Sequence, residues 1–435
     1  MKKFYFKIIS ILFLLTILCI QAEAHTLLSS ATLWQYRSAL IQLSGIISVT
    51  LMSIVLLLAL RLPLIENMTK GLDKSYHLHK WIGISALITS ILHWFFTTVA
   101  KNFIDRPTHR RSPIDADSFV ALIRPLRSLA ESIGEVFFYG VLILGAISLL
   151  RHIGYKTFKL SHKLMPLCFI AFAFHSVILI KPAYWDYPIT YITLFIITIG
   201  LVAAILSLNG KIGKKKRHHA VLSSFYHDHS NQVTELSLSV QGWPEHKSGQ
   251  FAYLNFGANN IHPFSIASTY KKNAPLRFLI KELGDFTSDL KNQLTIGQTI
   301  KIEGPYGKFN FNDQRDQIWI AGGIGIAAFK AQLQTQRTLS VNKSVTLYYC
   351  TKKPSKTLTL ELRKEAKLAN IDLKIIDTRS DPLLTITMLN DSHKNLNAHS
   401  IWFCGPTRFS DKLKADLIAL NYNLQLFHQE YFSMR

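Results

Sequence analysis

Four histidines stand in pairs on two apolar stretches of the chain, His79 with His93 and His162 with His175. An ionisable or metal-ligating side chain inside a membrane segment is costly, and by default it marks a functional site. The first pair is fourteen residues apart, a rise of about 21 Å on a helix and most of a hydrocarbon core of about 30 Å. Two such helices side by side offer two stacked His–His sites, one near each leaflet. Neutral imidazole is a good ligand for iron. Two b-type haems spanning a bilayer use all four rings, and the chain then reads as a transmembrane electron wire.

The helical phase supports one pair directly. Fourteen residues turn through about 1400°, within about 40° of four full turns, so His79 and His93 share a face. His162 and His175 are thirteen apart and about 140° out of phase on an ideal helix. Pro166 removes an amide from that helix and favours a start or kink there. The spacing therefore predicts that His162 projects from an irregular mouth, while His77 faces away from His79.

The elements that carry these rings are legible from charge. Runs free of Asp, Glu, Lys and Arg occupy 8–22, 38–60, 81–100, 136–150, 164–180 and 187–210, which predicts six spans, two of them short. The first follows Lys2, Lys3 and Lys7 and ends at Ala22-Glu23-Ala24, so residues 1–24 read as a signal peptide or a first span. Either reading leaves His25 outside. The loops with Arg61, Lys70 and Lys74, then Arg151, Lys156 and Lys159, fall inside, as the charge rule requires. The loop 101–130, with Lys101, Arg106, Arg110, Arg111, Arg124 and Arg127, runs against it. The net charge of +22 gathers beside the spans, notably at Lys211, Lys214, Lys215, Lys216 and Arg217, which argues for a membrane and against nucleic acid. Four cysteines, Cys19, Cys168, Cys350 and Cys404, form no C-x-x-C, which argues against an iron–sulfur cluster or a disulfide framework.

Beyond Lys211 no comparable apolar run appears. Short β-rich runs at 232–240, 250–256, 277–281 and 298–303 predict a small antiparallel barrel. From Gln317 strand and helix alternate, the pattern of a parallel sheet with helices on both faces. Within the barrel, His262-Pro263-Phe264-Ser265 ends a strand, where the Ser265 hydroxyl can bond a flavin ring edge and His262 can donate to a phosphate. Lys281-Glu282-Leu283-Gly284-Asp285-Phe286-Thr287 runs from a strand into a helix beginning near Phe286, whose first amides suit a pyrophosphate. Gly322-Gly323-Ile324-Gly325 leaves a strand and opens a helix, letting the backbone approach a dinucleotide phosphate. Cys404-Gly405-Pro406 occupies the equivalent end of a later strand.

Six spans with these histidines, followed in order by HPFSIAS, GPYGKF, AGGIGIAAF, FCGP and HQEYF, resemble the ferric reductase and NADPH oxidase superfamily over nearly the whole chain. The resemblance implies an α-helical membrane bundle followed by a ferredoxin–NADP reductase-like module. That module comprises an antiparallel β-barrel for FAD and an α/β parallel-sheet domain for NAD(P)H. The implied boundaries are 25–210 for the bis-haem domain, 211–313 for the barrel and 314–435 for the nucleotide domain. By similarity, His79 and His162 hold the inner haem and His93 and His175 the outer. His262, Pro263, Phe264 and Ser265 match the flavin motif, with Lys281, Gly284, Thr287 and Gly304 beside FAD. Gly322, Gly323 and Gly325 match the nicotinamide-dinucleotide turn, with Gly405 and Pro406 beside it. Cys404 lies by the nicotinamide, and Glu430 and Phe432 match a terminal acidic–aromatic pair whose ring covers the flavin.

The chain departs from this pattern in places. Ala327-Ala328 replaces a common Thr-Pro, and Lys352 and Lys353 stand where an arginine commonly meets the 2′-phosphate, which favours NADPH. Thr97 replaces a histidine of superoxide-producing animal enzymes, and three residues follow Phe432. The implied activity is a flavohaem oxidoreductase of the bacterial inner membrane with a cytoplasmic dehydrogenase. Its acceptor is extracytoplasmic: a ferric chelate, oxygen or a partner protein. A histidine-based metal transporter with a nucleotide-binding regulatory tail is the competing reading, and it leaves Ser265, Phe432 and the barrel without a task.

Overall fold

The computed structural model describes residues 2–28, 31–105, 119–150, 152–257, 260–337 and 343–431. Phe432 and the basic residues Arg106, Arg110, Arg111 and Arg151 of the loops lie outside the described residues. The chain divides into two compact units, residues 1–69 with 74–212, and residues 213–435 with the segment 70–73.

The first unit is helical: α1 (Lys2–Leu28), α2 (Leu33–Ala59), α3 (Pro63–Thr69), α4 (Leu72–Trp94), α5 (Phe119–Ile123), α6 (Arg127–Leu149), α7 (Tyr155–His162), α8 (Met165–Leu179) and α9 (Pro188–Leu208). Among the described residues, six helical segments are long and apolar enough to cross a membrane: Phe4–Leu28, Leu33–Ala59, Leu72–Asn102, Phe119–Leu149, Thr157–Leu179 and Pro188–Leu208. The third and fourth begin well before their charge-free runs, because charged residues continue the helices at their ends.

Helix α2 has neighbours on several sides. Val49 and Leu56 pack with Phe169 and Ala173 of α8 and with Ile197, Ala203 and Ala204 of α9. Leu51 and Leu58 pack with Leu78, Ile82 and Ala86 of α4 and Ile8 of α1. A Cβ on Gly200 would come within 2.3 Å of the Phe169 ring, so a small residue there lets α8 and α9 approach closely. Helix α1 buries Glu23, which pairs with Lys181 and accepts a 2.8 Å hydrogen bond from the Tyr184 hydroxyl.

The second unit contains a six-stranded antiparallel sheet in the order β4-β3-β6-β1-β2-β5. Its strands are β1 (Arg217–Asp228), β2 (Val233–Val240), β3 (Phe251–Asn255), β4 (Ile261–Ser265), β5 (Leu276–Lys281) and β6 (Thr299–Tyr306). A bridge from Ile266 to Phe278 links the outer strands β4 and β5, curling the sheet towards a barrel. Leu222, Leu236, Ala252, Phe278 and Ile302 fill its interior with Leu290 of α10 (Asp285–Gln293). Pro263 sits on β4, at one end of the strand order, where a missing amide costs the ladder least.

A parallel sheet follows, in the order β11-β10-β7-β8-β9. It comprises β7 (Asp316–Gly322), β8 (Val345–Thr351), β9 (Asp372–Asp377), β10 (His399–Cys404) and β11 (Phe427–Gln429). The alternation along β7 sets its two faces. Trp319 and Ala321 pack on α11 (Ile326–Gln336) and α12 (Lys356–Leu368), and Ile318 and Ile320 on α13 (Ile386–His393) and α14 (Thr407–Ala419). Lys330 of α11 is fully buried between Glu361 of α12 at 2.9 Å and Glu235 of β2 at 3.3 Å, and Arg277 of β5 lies 3.7 Å from both carboxylates. An ion quartet thus ties the antiparallel sheet to the nucleotide fold.

Candidate redox sites

The four histidines come together in two pairs within the helical unit. His79 of α4 faces His162 at the end of α7, ring centroids 5.8 Å apart, and His93 of α4 faces His175 of α8 at 6.2 Å. A metal held in line between two imidazole nitrogens at about 2 Å each separates the centroids by about 6 Å. The structure also resolves the phase of the second pair. Helix α7 ends at His162 and α8 begins at Met165, so the two rings need not share one helical phase. His77 turns its ring to Trp81 instead, at 6.4 Å.

Each ring is fixed through Nδ1. His79 donates to the Val55 carbonyl at 3.0 Å, His93 to the Ile41 carbonyl at 3.0 Å and His175 to the Ala130 carbonyl at 2.8 Å. A carbonyl only accepts, so these rings carry the proton on Nδ1 and keep the Nε2 lone pair for a ligand. His162 Nδ1 lies 3.2 Å from the Ser148 hydroxyl, whose own proton goes to the Leu144 carbonyl at 2.7 Å. Glycines make room for the second pair. A Cβ on Gly45 would lie 3.1 Å from the His93 ring, and one on Gly134 would lie 2.0 Å from His175 Nδ1. No group of three or more His, Cys, Asp or Glu able to hold a metal occurs among the described residues. Two facing imidazoles suit a planar macrocycle that brings its own equatorial nitrogens, so the donor set fits a haem.

In the second unit, Ser265 ends β4 and pairs with Phe251 of β3. Its hydroxyl is buried and has no hydrogen-bond partner among the described residues, an uncompensated group that a flavin edge would satisfy. Gly307 packs on Phe251, and a Cβ there would lie 3.5 Å from Glu430 Oε1. Glu430 in turn stands near Cys404, whose thiol is raised well above its usual pKa by burial and by that carboxylate. Ser265, Glu430 and Cys404 are thereby linked through neighbouring contacts. Gly304 packs against the Phe251 carbonyl and Ala252 in the same region.

The two glycine turns interlock at the carboxyl ends of β7 and β10, where the strand order reverses. A Cβ on Gly325 would lie 2.0 Å from the Cys404 carbonyl oxygen, and one on Gly322 would lie 2.7 Å from Pro406 Cδ and 3.2 Å from Gly405 Cα. Gly323 holds φ +57, the left-handed region. Ala327 and Ala328 are buried in the core behind this turn and offer no hydroxyl to a phosphate.

Helix α10 begins at Asp285, next to Phe286, as the sequence indicates. The Thr287 hydroxyl accepts the Leu283 and Gly284 amides at 2.9 and 3.1 Å, so those two donors are used within the chain. His262 stacks on Phe286 at 4.8 Å. The Lys281 ammonium is lowered in pKa by burial and then by Lys352 and Lys353, which therefore form one cationic patch with it.

The sequence reading missed the acceptors behind the imidazoles. Its available signal was the spacing: Ile41 and Val55 are fourteen apart on α2, matching His79 and His93 on α4. Glycine at 45 and 134, within long apolar spans, was the second signal.

Comparison with known proteins gives two family matches. Residues 44–173 match the ferric reductase like transmembrane component, and residues 229–310 match an FAD-binding domain. The reductase component of propane 2-monooxygenase from Gordonia sp. (strain TY-5) is 27% identical over 214 residues, 43% of this chain and 60% of that protein. The electron transfer component of 2-halobenzoate 1,2-dioxygenase from Burkholderia cepacia is 28% identical over 199 residues, 42% of this chain and 58% of that one. The chain thus spans about three-fifths of the length of these relatives. A flavohemoglobin structure from Malassezia yamatoensis, with bound FAD and heme, aligns with a TM-score of 0.50 at 14% identity, covering 96% of this chain and 99% of that one. That likeness is one of fold alone.

Proposed function

We propose, for this ferric reductase/NADPH oxidase-like protein, a multi-pass membrane oxidoreductase with an FAD- and nicotinamide-nucleotide-binding module, that electrons pass from cytosolic NAD(P)H to an acceptor on the outer face. FAD and two b-type haems form the route, and the membrane is the bacterial inner membrane. The observation that carries this reading is the two pairs of facing imidazoles, 5.8 and 6.2 Å apart, in helical segments long enough to span a bilayer. The domains run 25–210 for the haems, 211–313 for FAD and 314–435 for NAD(P)H, with 1–24 as a first span or signal peptide.

When bound, FAD supplies the exchange between hydride and single electrons, and haem iron supplies one-electron steps across the bilayer. The chain supplies position and insulation. His79 with His162 holds the inner haem and His93 with His175 the outer. Ser265 satisfies the flavin ring edge, with His262, Pro263, Phe264, Lys281, Gly284, Thr287 and Gly304 around the rest of FAD. Gly322, Gly323, Gly325, Gly405 and Pro406 let the dinucleotide approach the backbone. Cys404 stays a neutral thiol beside the nicotinamide, and Glu430 and Phe432 close the flavin face. Purified protein is expected to show a b-type Soret band that shifts on adding NADPH. An acceptor screen with ferric citrate, oxygen and quinone identifies the outlet. Absence of the band would sink the haem route.

Lys352 and Lys353 are assigned to the 2′-phosphate that distinguishes NADPH. Changing both to Ala is expected to raise KM for NADPH about tenfold, since charge-assisted contacts contribute about 1.5 kcal/mol or more, and to leave NADH nearly unaltered. Steady-state kinetics with the two nucleotides check this, and equal changes would return these lysines to solvent.

Gly134→Ala places a methyl 2.0 Å from His175 Nδ1, the atom that donates to the Ala130 carbonyl, so the ring has to shift. The variant is expected to lose most of the outer haem. Gly140→Ala on the same helix, where a Cβ meets nothing within 4 Å among the described residues, is expected to retain it. Haem per FAD is the measurement.

A further inference from the structure

The four imidazoles are not held alike. Three of them donate Nδ1–H to a main-chain carbonyl, which no substitution can remove. His93 has a second neighbour as well, the Ser44 hydroxyl at 3.1 Å. Among the described residues, His162 alone meets a side chain and no main-chain carbonyl at Nδ1, the Ser148 hydroxyl at 3.2 Å, while the Phe158 ring stacks on its face at 5.1 Å. That hydroxyl spends its proton on the Leu144 carbonyl at 2.7 Å, so it faces His162 as an acceptor. His162 has also lost the regularity of a long helix, because α7 stops at this residue. Its orientation therefore rests on fewer main-chain constraints than that of His79, His93 or His175.

We infer that Ser148 is a positioning residue for the inner site. It fixes His162 as the Nδ1–H tautomer, aims Nε2 at His79 and sets the electron-donating strength of that ligand. The inference rests on the bis-haem reading and deepens it. A hydrogen bond to the distal ring nitrogen makes an imidazole a stronger donor to its metal, and the chain His162 Nδ1–H to Ser148 to Leu144 polarises along its length. A stronger donor favours the more positively charged, oxidised metal. Losing the acceptor therefore moves the reduction potential of the inner site upward. The outer site lacks this sensitivity, since the Ile41 and Ala130 carbonyls remain whatever the side chains are.

The test is a potentiometric titration of the purified full-length protein, followed in the haem α-band. In Ser148→Ala, one of the two reduction waves is expected to shift upward and the other to stay in place. Ser148→Thr keeps a hydroxyl and is expected to restore the wild-type wave. Ser44→Ala is expected to leave both waves unmoved, because His93 retains the Ile41 carbonyl. The assignment is then made in a His93→Leu background, where the single remaining wave should carry the shift. If that double variant does not fold, the two-wave titration of Ser148→Ala alone decides. Unmoved waves in Ser148→Ala, an equal shift in Ser44→Ala, or no recovery in Ser148→Thr overturns the assignment of Ser148. A wild-type protein without any haem wave refutes the bis-haem reading itself, a distinct result.

Discussion

Under the proposed bis-haem route, replacing His93 with Leu is expected to leave one haem per FAD in place of two, and to cut electron delivery to an outer acceptor at least a hundredfold. The reason is local. His93 and His175 face each other 6.2 Å apart, and no group of three metal-ligating side chains occurs among the described residues. A haem that both imidazoles would hold keeps only one protein ligand once His93 is gone. The inner pair should survive, because His79 and His162 take their orientation from Val55 and Ser148 and not from the outer pair. Rises along α4 put His79 and His93 about 21 Å apart along the axis, so loss of the outer station leaves much of the bilayer uncrossed. Reduction of ferricyanide by the reductase half should change by less than about twofold, which separates a broken wire from a broken reductase. His175→Leu should behave identically, and His77→Leu should keep both haems, since His77 lies against Trp81. Two haems retained in both ligand variants would refute the pairing.

The second large effect is expected at Gly325. Its φ of −57° is one that any residue adopts, so the requirement for glycine is not conformational. It is steric. An added Cβ would lie 2.0 Å from the Cys404 carbonyl oxygen, 2.6 Å from its carbon and 3.2 Å from the Gly405 nitrogen. All three are backbone atoms at the end of β10, which pairs in register with β7 from His399 opposite Asp316 to Cys404 opposite Ala321. Neither turn can yield without unpicking that register. Gly325→Ala is expected to lower kcat/KM for NAD(P)H by about a hundredfold, equivalent to nearly 3 kcal/mol. FAD content should be preserved, because Ser265 belongs to the antiparallel sheet. Gly323 provides a graded comparison: its Cβ meets nothing within 4 Å among the described residues, but φ is +57. Strain of about 1–2 kcal/mol there predicts about a tenfold loss. Flavin absorbance with steady-state kinetics distinguishes the cases, and a Gly323 effect exceeding that of Gly325 would contradict the interlocked turns.

Much of this architecture was legible in the residues. Alternation of apolar positions located β2, β3, β5 and β6 to within a few residues, and the glycine turn after Ala321 announced a strand and a helix. The first strand escaped notice. Lys214 to Arg217 reads as a charge cluster closing a membrane span, yet Arg217 opens β1, which pairs with β6 and, from Ala220, with β2 as well. The fourth span was also read short, because Arg127, Glu131 and Glu135 interrupt its apolar run while α6 continues through them. For the site, ligand types and spacing were visible in the histidines themselves. Their supports were not, since a carbonyl at Ile41, Val55 or Ala130 has no signature in the side chain that bears it. The use of Thr287 to cap Leu283 and Gly284 was hidden for a related reason: nothing in KELGDFT says which way a hydroxyl turns.

Lys330 bears on how freely the pieces of such a chain can be exchanged. Its ammonium is wholly enclosed, and its counter-charges come from two places far apart in sequence, Glu235 on the antiparallel sheet and Glu361 on α12. Removing one partner of a buried pair leaves a charge that costs several kcal/mol. A chimera joined near residue 313, taking its barrel from one relative and its nucleotide fold from another, would therefore leave this lysine with Glu361 alone unless the donor barrel also carried an acid at the position of Glu235. The reductase half is modular in outline but not in charge. A working graft has to transplant Glu235, Arg277, Lys330 and Glu361 as a set.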